Sequence, residues 1–301
     1  MFLNIKTRAS LGLVLVGLIW GYAFVVMKNQ LDSFSVFELL FWRFLIAFFV
    51  LVLCSGLLRF FDTNDKKIWK DGLIAGLLLF VGYVFQTFGL KYTSIVNSGI
   101  ITVFYVVFTP LIAFYLDKKN VSKKSFFACF LAFFGLFFVL AEGLNFDSLF
   151  SNKGDFLTLG CAVAYAGHII YIAKKSKLYN VFKFTSIQMC AICVFSFFSA
   201  FLFDGKLSVP EVSDWSSLIF LGVVVSAITF VLQVWAQRIL SSSSSAILLT
   251  LEAPFAIFFG MVLLGDIMLP QKWIGVGIVT ISIIMVLLEE FKIDKKMCKN
   301  E

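Results

Sequence analysis

Long apolar stretches alternate with short polar connections along the whole chain. A helix needs about 17 to 25 residues to cross the roughly 30 Å hydrocarbon core of a bilayer, and ten stretches have about that length. Their boundaries are Ala9–Met27, Val36–Leu57, Gly72–Leu90, Ile95–Leu116, Ser125–Ala141, Asp155–Ala173, Phe184–Phe203, Ser216–Gln237, Ser244–Leu264 and Trp273–Leu288. The pattern predicts an all-α integral membrane protein with ten transmembrane helices and no separate soluble domain.

Composition supports lipid as the solvent for most of the chain. Of the 301 residues, 60% are hydrophobic and only 14% are charged, and the mean hydropathy is +0.98. A soluble domain has about half apolar and a quarter charged residues. Thirty-nine phenylalanines add apolar surface that a soluble core of this size does not need. These values exclude an ordinary soluble protein.

The distribution of basic residues predicts the orientation of the spans. The net charge is +7, but the basic residues form short clusters between apolar runs, so we expect no nucleic-acid partner. If the N-terminus is cytoplasmic, nineteen Lys and Arg residues lie on the inner side and five on the outer side. This follows the positive-inside rule and predicts that both termini are cytoplasmic. The first span is too long for the apolar part of a signal peptide, so we expect that it is not cleaved and stays in the protein.

The cysteines give no sign of redox or metal chemistry. Six are present, and most lie inside apolar stretches, where thiols behave as small hydrophobic groups. Cys190 and Cys193 have the spacing of a redox motif but lie in the middle of an apolar run. We therefore expect no disulfide, no metal and no cofactor.

The two halves of the chain share a weak internal similarity. Residues 9–141 and 155–289 have nearly equal length, and several pairs lie 147 residues apart: Gln86 and Gln233, Lys91 and Arg238, Phe126 and Trp273. Two repeats with five spans each have opposite orientations in the membrane. The predicted organisation is a cytoplasmic N-terminus (1–8), two inverted five-helix repeats, an external linker (142–154) and a cytoplasmic tail (290–301).

Two of the four prolines, Pro110 and Pro254, fall in the fourth span of each half, 144 residues apart. Proline removes a backbone donor and interrupts a helix. Interrupted spans at corresponding positions indicate a substrate site in transporters. The alternative is a kink that only shapes helix packing. The spacings of Gly17 with Gly21, and of Gly72 with Gly76, predict close contacts between helices.

Few ionisable residues lie inside the spans, and each is a candidate for function. Arg43 either anchors its helix, by snorkelling outward or pairing with Glu38, or contacts a substrate carboxylate. Glu252, close to Pro254, either binds a coupling proton or caps backbone groups freed by the proline. His168, the only histidine, either bonds to a neighbouring helix or faces a cavity. The remaining candidates for substrate contact are Trp20, Tyr83, Gln86, Tyr105, Gln233 and Trp235.

Short motifs occur in order along both halves. They are WGYAF at Trp20–Phe24 with Lys28 after it, RFLIA at Arg43–Ala47, LKYTS at Leu90–Ser94, LEAP at Leu251–Pro254, LLGD at Leu263–Asp266 and WIG at Trp273–Gly275. Together they resemble the EamA-type ten-helix members of the drug/metabolite transporter superfamily. The chain departs from that pattern at Ala253, which separates Glu252 from Pro254, and at Asp266, where the family usually has glutamate.

The resemblance implies a multi-pass protein of the bacterial inner membrane with a central cavity between two inverted repeats. It further implies a secondary transporter that exports or takes up amino acids or related metabolites by alternating access, as a monomer or weak homodimer. Protons are a possible coupling ion.

Three alternative functions fit the sequence less well. A nucleotide-sugar or sugar-phosphate carrier needs several basic residues within its spans, and only Arg43 lies there. A small multidrug exporter needs a carboxylate inside its first span. A membrane-embedded enzyme needs convergent catalytic groups, which the sequence motifs do not provide.

Overall fold

The computed structural model describes residues 5–55, 66–117 and 152–297, with six further helical positions between 127 and 138. Within these residues all regular elements are helical. In chain order they are α1 (Ile5–Gln30), α2 (Val36–Ser55), α3 (Lys66–Tyr92), α4 (Ile95–Thr102), α5 (Tyr105–Asp117), α6 (Lys153–Lys175), α7 (Val181–Asp204), α8 (Trp215–Gln237), α9 (Ser242–Leu249), α10 (Glu252–Leu264) and α11 (Pro270–Met297). The last turn of α7 and the segment Phe220–Ile228 of α8 are π-helical.

Eight segments of the described chain are long and apolar enough to cross a membrane. They correspond to eight of the ten predicted spans. Helices α4 and α5 together form one span, and helices α9 and α10 together form another. The predicted fifth span, Ser125–Ala141, lies largely outside the described residues. The predicted tenth span falls within helix α11.

The fourth span of each half is divided into two helices at equivalent places. Helices α4 and α5 are separated by Val103 and Phe104, and α9 and α10 are separated by Thr250 and Leu251. The start and end of α4 and the start of α5 recur 147 residues later as the start and end of α9 and the start of α10. The caps recur too, because the hydroxyls of Ser94 and Ser241 each accept a hydrogen bond from the amide three residues later.

The prolines do not occupy equivalent places relative to these interruptions. Pro254 lies in the first turn of α10, where its missing amide hydrogen would have no partner within the helix. Pro110 lies inside α5, and the chain remains helical on both sides of it. Both prolines follow their interruption, but Pro110 is the sixth residue of α5 and Pro254 is the third residue of α10. The prolines are therefore 144 and not 147 residues apart.

Glycines bring helices into close contact, as the sequence predicts. A Cβ added to Gly21 would lie 2.5 Å from the Cβ of Phe255 on α10. A Cβ added to Gly76 would lie 2.5 Å from that of Ala191 on α7. Real Cβ atoms do not approach so closely, so only glycine permits these contacts.

A polar network joins the helix ends at the predicted outer side. Lys28 donates hydrogen bonds to the carbonyl oxygens of Leu90 (2.6 Å) and Thr93 (2.8 Å) at the end of α3. Asn97 on α4 donates to the carboxylate of Asp155 and accepts a hydrogen bond of 2.7 Å from Lys272. This end of the bundle is therefore held together across both halves of the chain.

Asp266, the residue that departs from the family motif, belongs to the same end. Its carboxylate accepts a hydrogen bond of 3.1 Å from the amide of Val96 in the first turn of α4. Gly265, with a φ of 70°, ends α10 in the left-handed conformation and turns the chain toward α4. Asp266 thus caps a helix of the other half.

A second cluster closes the predicted inner side. The carboxylate of Asp71, near the start of α3, accepts hydrogen bonds from the hydroxyls of Tyr171 (2.8 Å) and Tyr179 (2.7 Å). Lys175 forms an ion pair of 3.1 Å with the same carboxylate. Helix α3 is therefore held at both ends.

Candidate functional site

A cavity lies near the middle of the bundle, beside both helix interruptions. Its volume is about 30 Å³. Eight helices contribute its lining: Trp20, Ala23, Met27, Arg43, Leu79, Tyr83, Gln86, Tyr105, Tyr165, His168, Ile169, Val225, Phe230, Gln233, Leu249 and Glu252. It is a narrow aromatic space with a small number of polar groups, as small-molecule sites generally are.

The cavity brings together eight of the nine contact candidates derived from the sequence. Only Trp235 is not part of its lining, and this side chain instead packs into the hydrophobic core near Gly12 on α1. The two prolines are also absent from the lining. Pro254 borders a separate apolar cavity between α4, α9, α10 and α11.

Arg43 is the most buried charged residue of the site, with 1% of its surface exposed. Its Nε donates to the hydroxyl of Ser226 (2.7 Å), and its other nitrogens approach Tyr83 Oη (3.2 Å) and Met27 Sδ (3.0 Å). The guanidinium carbon also lies 4.7 Å from the ring centroid of Tyr83. Neutral groups therefore fix its position, and within the described chain no carboxylate lies within 4.0 Å of it.

The predicted pairing of Arg43 with Glu38 does not occur. Glu38 accepts hydrogen bonds from the amides of Ser35 and Ser208 near the outer end of the bundle. Its carboxylate caps the start of α2 and ties it to the loop after α7. Arg43 points instead into the cavity, which removes the snorkelling interpretation.

Glu252 is the acidic residue of the cavity. It is the first residue of α10, and 4% of its surface is exposed. Within the described chain no group donates a hydrogen bond to its carboxyl, and Arg43 interacts with it electrostatically without forming an ion pair. The site therefore contains one cation and one acid that are not bonded to each other. The beginning of a helix also favours a negative charge at this position.

His168 is held by a neighbouring helix. Its Nε2 lies 2.9 Å from Oε1 of Gln188 on α7, and its ring meets Phe230 edge-on. Both alternatives from the sequence therefore apply, since the side chain bonds to another helix and also lines the cavity. Its fixed position makes it part of the cavity wall.

Trp20 connects the first helix to α8. Its indole nitrogen donates to Thr229 Oγ1 (2.9 Å) and approaches the carbonyl oxygen of Val225 (3.2 Å). The same ring packs against Phe230 at a centroid distance of 5.3 Å. The indole N–H is thereby satisfied, and the ring presents an apolar face to the cavity.

Gln86 and Tyr165 bond to each other. The tyrosine hydroxyl donates to Gln86 Oε1 (3.0 Å), and Gln86 Nε2 donates to Thr102 Oγ1 (3.4 Å). Their polar atoms are therefore engaged within the protein. Two other polar atoms of the lining, Tyr105 Oη and Gln233 Oε1, are buried and have no hydrogen-bond partner among the described residues.

The lining repeats in part with the 147-residue offset. Gln86 corresponds to Gln233, and Tyr83 corresponds to Phe230. Tyr105 corresponds to Glu252, and each is the first residue after the helix interruption of its half. From the sequence alone, the 147-residue offset relates Gln86 to Gln233. That Tyr105 and Glu252 hold equivalent places becomes clear only when the structure shows where the two helices are interrupted.

Sequence reasoning missed four side chains that hold other residues of the site in place. Met27 and Ser226 hold the guanidinium of Arg43, Thr229 holds Trp20, and Tyr165 holds Gln86. Residues of these types are common in membrane helices, and nothing in their spacing distinguishes them. In the part of the chain that the structure describes, no cluster of potential ligands could hold a metal ion.

Comparison with known proteins gives one consistent result. The EamA-like transporter family matches residues 7–141 and again residues 152–288. An uncharacterized transporter of Archaeoglobus fulgidus is 35% identical over 289 residues, covering 94% of this chain and 87% of that protein. The uncharacterized transporter YoaV of Bacillus subtilis is 25% identical over 270 residues, covering 86% and 89%.

A solved crystal structure also has a similar fold. The TM-score is 0.68 at 14% sequence identity, and the similarity covers 95% of this chain and 99% of the other. The motifs, the apolar helices and these matches agree along almost the whole chain. The chain therefore belongs to the EamA-like transporter family and is a membrane transporter of the drug/metabolite transporter superfamily.

Proposed function

We propose that this protein is a secondary transporter of small zwitterionic solutes, of the amino-acid type, which it exports by alternating access. The single observation that carries the proposal is the presence of Arg43 and Glu252 in one buried cavity without an ion pair between them. Each charge is available to a ligand, and a solute with a carboxylate and an ammonium group complements both.

The architecture proposed for this activity is two inverted repeats of five spans. Residues 9–141 and 155–289 form the repeats around the central cavity, and both termini lie in the cytoplasm of a bacterial cell. The recurrence of helix boundaries at a 147-residue offset supports this arrangement. Opening and closing of the two polar ends would expose the cavity to one side of the membrane at a time.

Arg43 is the group proposed to bind the solute carboxylate. A guanidinium pairs with carboxylates through parallel hydrogen bonds, and such charge-assisted bonds are strong where water is excluded. Ser226, Tyr83 and Met27 hold the side chain in place, so little conformational freedom is lost on binding. The aromatic walls then enclose the rest of the solute.

Glu252 is the group proposed to bind the solute ammonium or, in its absence, a proton. An isolated carboxylate in a buried site is costly, so loss of the ammonium group favours protonation. Exchange of a solute for a proton at one carboxyl would couple export to the proton gradient.

The alternative carriers suit the cavity less well. A nucleotide sugar or sugar phosphate carries at least two negative charges, and Arg43 is the only Lys or Arg among the lining residues of the described chain. A lipophilic cation would meet repulsion from the same guanidinium. An amino acid balances the charges of the cavity and leaves neither group unpaired.

The direct test begins with identification of a solute. Metabolites of medium and cytosol are compared between cells that overexpress the transporter and cells that lack it, and we expect a zwitterion to accumulate in the medium of the overexpressing cells. Purified protein in liposomes should then exchange that solute for its labelled form. Absence of exchange for every zwitterion tested, with exchange of a phosphorylated solute, would overturn the proposal.

A further inference from the structure

Two buried polar atoms of the central cavity have no hydrogen-bond partner in the described chain: Tyr105 Oη and Gln233 Oε1. Both residues are 2% exposed and both line the cavity. Buried polar groups in native proteins are nearly always hydrogen-bonded, and the exceptions require an explanation. Their position in the wall of a transport cavity indicates that a ligand supplies the missing partner.

The other tyrosine and glutamine side chains of the cavity, in contrast, have hydrogen-bond partners within the protein. Tyr165 also places a buried tyrosine hydroxyl in this cavity, but it donates to Gln86. Gln86, the partner of Gln233 in the 147-residue offset, is bonded through both ends of its amide. Three tyrosines and two glutamines line the cavity. Tyr83, Tyr165 and Gln86 are hydrogen-bonded within the protein, whereas Tyr105 Oη and Gln233 Oε1 have no partner in the described chain.

Tyr105 and Gln233 are separate from the groups that meet the charged ends of the solute. Neither bonds to Arg43, and Tyr105 takes in its half the place that Glu252 takes in the other. A hydroxyl both donates and accepts, and an amide oxygen accepts. Together they match a substituent that can do both, such as a hydroxyl or a carboxamide.

We infer that Tyr105 and Gln233 determine specificity by binding a hydroxyl or amide substituent on the body of a zwitterionic solute. The inference rests on the proposed function and adds a third point of contact to it. A site built to form a hydrogen bond rejects an analogue without that group, because its own polar atoms then remain buried and unpaired. The transporter should therefore prefer polar zwitterions to apolar ones of the same size.

The test uses matched pairs of amino acids as competitors of labelled exchange in liposomes. Serine is compared with alanine, and threonine with valine, because each pair differs chiefly by a hydroxyl group. For the unmodified protein we expect the polar member to compete at least about tenfold better. Tyr105→Phe and Gln233→Met should each reduce that ratio severalfold while exchange of the apolar member is retained.

Thr87→Val is the matched control. It also removes a buried hydroxyl that has no partner in the described chain, but one outside the cavity lining, and it should leave the ratio unchanged. Equal competition by the two members of each pair in the unmodified protein would overturn the inference. So would an equal loss of the ratio in Tyr105→Phe and Thr87→Val.

The outcomes separate this inference from the proposed function. If no zwitterion competes at all, the proposed function fails. If serine and alanine compete equally well, the zwitterion site stands and only the role of Tyr105 and Gln233 is wrong. Each variant is first checked for a single symmetric peak in gel filtration, and retained exchange of alanine shows that the protein is folded.

Discussion

The two interrupted helices are alike in backbone and different in chemistry. Their boundaries lie 147 residues apart, and Ser94 and Ser241 cap them in the same way. After the interruption, however, the first half presents the uncharged Tyr105 and the second half presents the acid Glu252. At this position the two halves therefore share the place at which a side chain enters the cavity but differ in the chemical type of that side chain.

The same distinction separates helices α1 and α6. Gly21 and His168 lie at the 147-residue offset, but Gly21 allows α10 to approach closely while His168 reaches across to Gln188. One position thus serves packing in the first half and the cavity wall in the second. An asymmetric solute requires such an asymmetric lining.

The largest effect is expected from loss of the guanidinium. Arg43→Gln removes the proposed carboxylate partner, and charge-assisted pairs of this kind are worth about 2–5 kcal/mol. Labelled exchange in liposomes should fall by at least about thirtyfold. Arg43→Lys keeps the charge but not the fork-shaped donor, and it should retain a measurable part of the rate. Full activity of Arg43→Gln would show that the residue only anchors α2.

The second-largest effect should be on proton-driven transport, and it should appear on substitution of Glu252 but not of Tyr105. Glu252→Gln should abolish accumulation driven by an imposed proton gradient, because an amide cannot carry the proton. Tyr105→Phe should leave gradient-driven accumulation of an apolar zwitterion intact. If accumulation in Glu252→Gln equals that of the unmodified protein, the carboxyl has no part in coupling.

A third prediction tests the close packing in the first half. Gly21→Ala places a methyl group where Phe255 and the backbone of Ala256 already lie, and overpacking typically costs about 1–3 kcal/mol. Gly277→Ala is the control, because an added Cβ there meets nothing within 4 Å. Thermal unfolding in detergent should show a lower midpoint for Gly21→Ala alone, and equal midpoints would contradict the close approach of α1 and α10 at Gly21.

The smallest effect should be equal in the two halves. Ser94→Ala and Ser241→Ala each remove a helix cap, which typically costs about 1 kcal/mol. Because the two caps have the same geometry, we expect similar losses in the midpoint of thermal unfolding. A loss in only one of the two variants would mean that the caps do not contribute equally.

Much of this arrangement could be predicted from the sequence. Hydrophobic length located the eight spans that the structure describes as apolar helices, and the scarcity of polar residues inside them directed attention to Arg43, His168 and Glu252. In lipid a polar side chain must have a reason to be there, so few residues needed to be considered. Trp235 shows the limit of this reasoning, because an aromatic ring packs equally well in the core.

The geometry of the interruptions could not be predicted from the sequence. Proline is an easily recognised helix breaker, but the chain stays helical through Pro110 and is interrupted at Val103 and Phe104. Tertiary contacts determine such breaks in a membrane, because neighbouring helices can satisfy the freed backbone groups. For the same reason no sequence pattern identified Ser226 as the partner of Arg43.

The measurement that tests the central claim most directly is competition by a solute whose two charges are removed in turn. For an amino acid that supports exchange, its carboxamide lacks the group for Arg43, and its N-acetyl derivative lacks the group for Glu252. We predict that both derivatives compete at least about tenfold more weakly than the parent, in line with loss of one charged pair. Arg43→Gln exchanges too slowly for this assay, so its binding is measured as the rise in the midpoint of thermal unfolding in detergent. We predict that the parent and the carboxamide raise that midpoint equally in Arg43→Gln and unequally in the unmodified protein. Equal competition by all three compounds would contradict a cavity that binds zwitterions through these two residues.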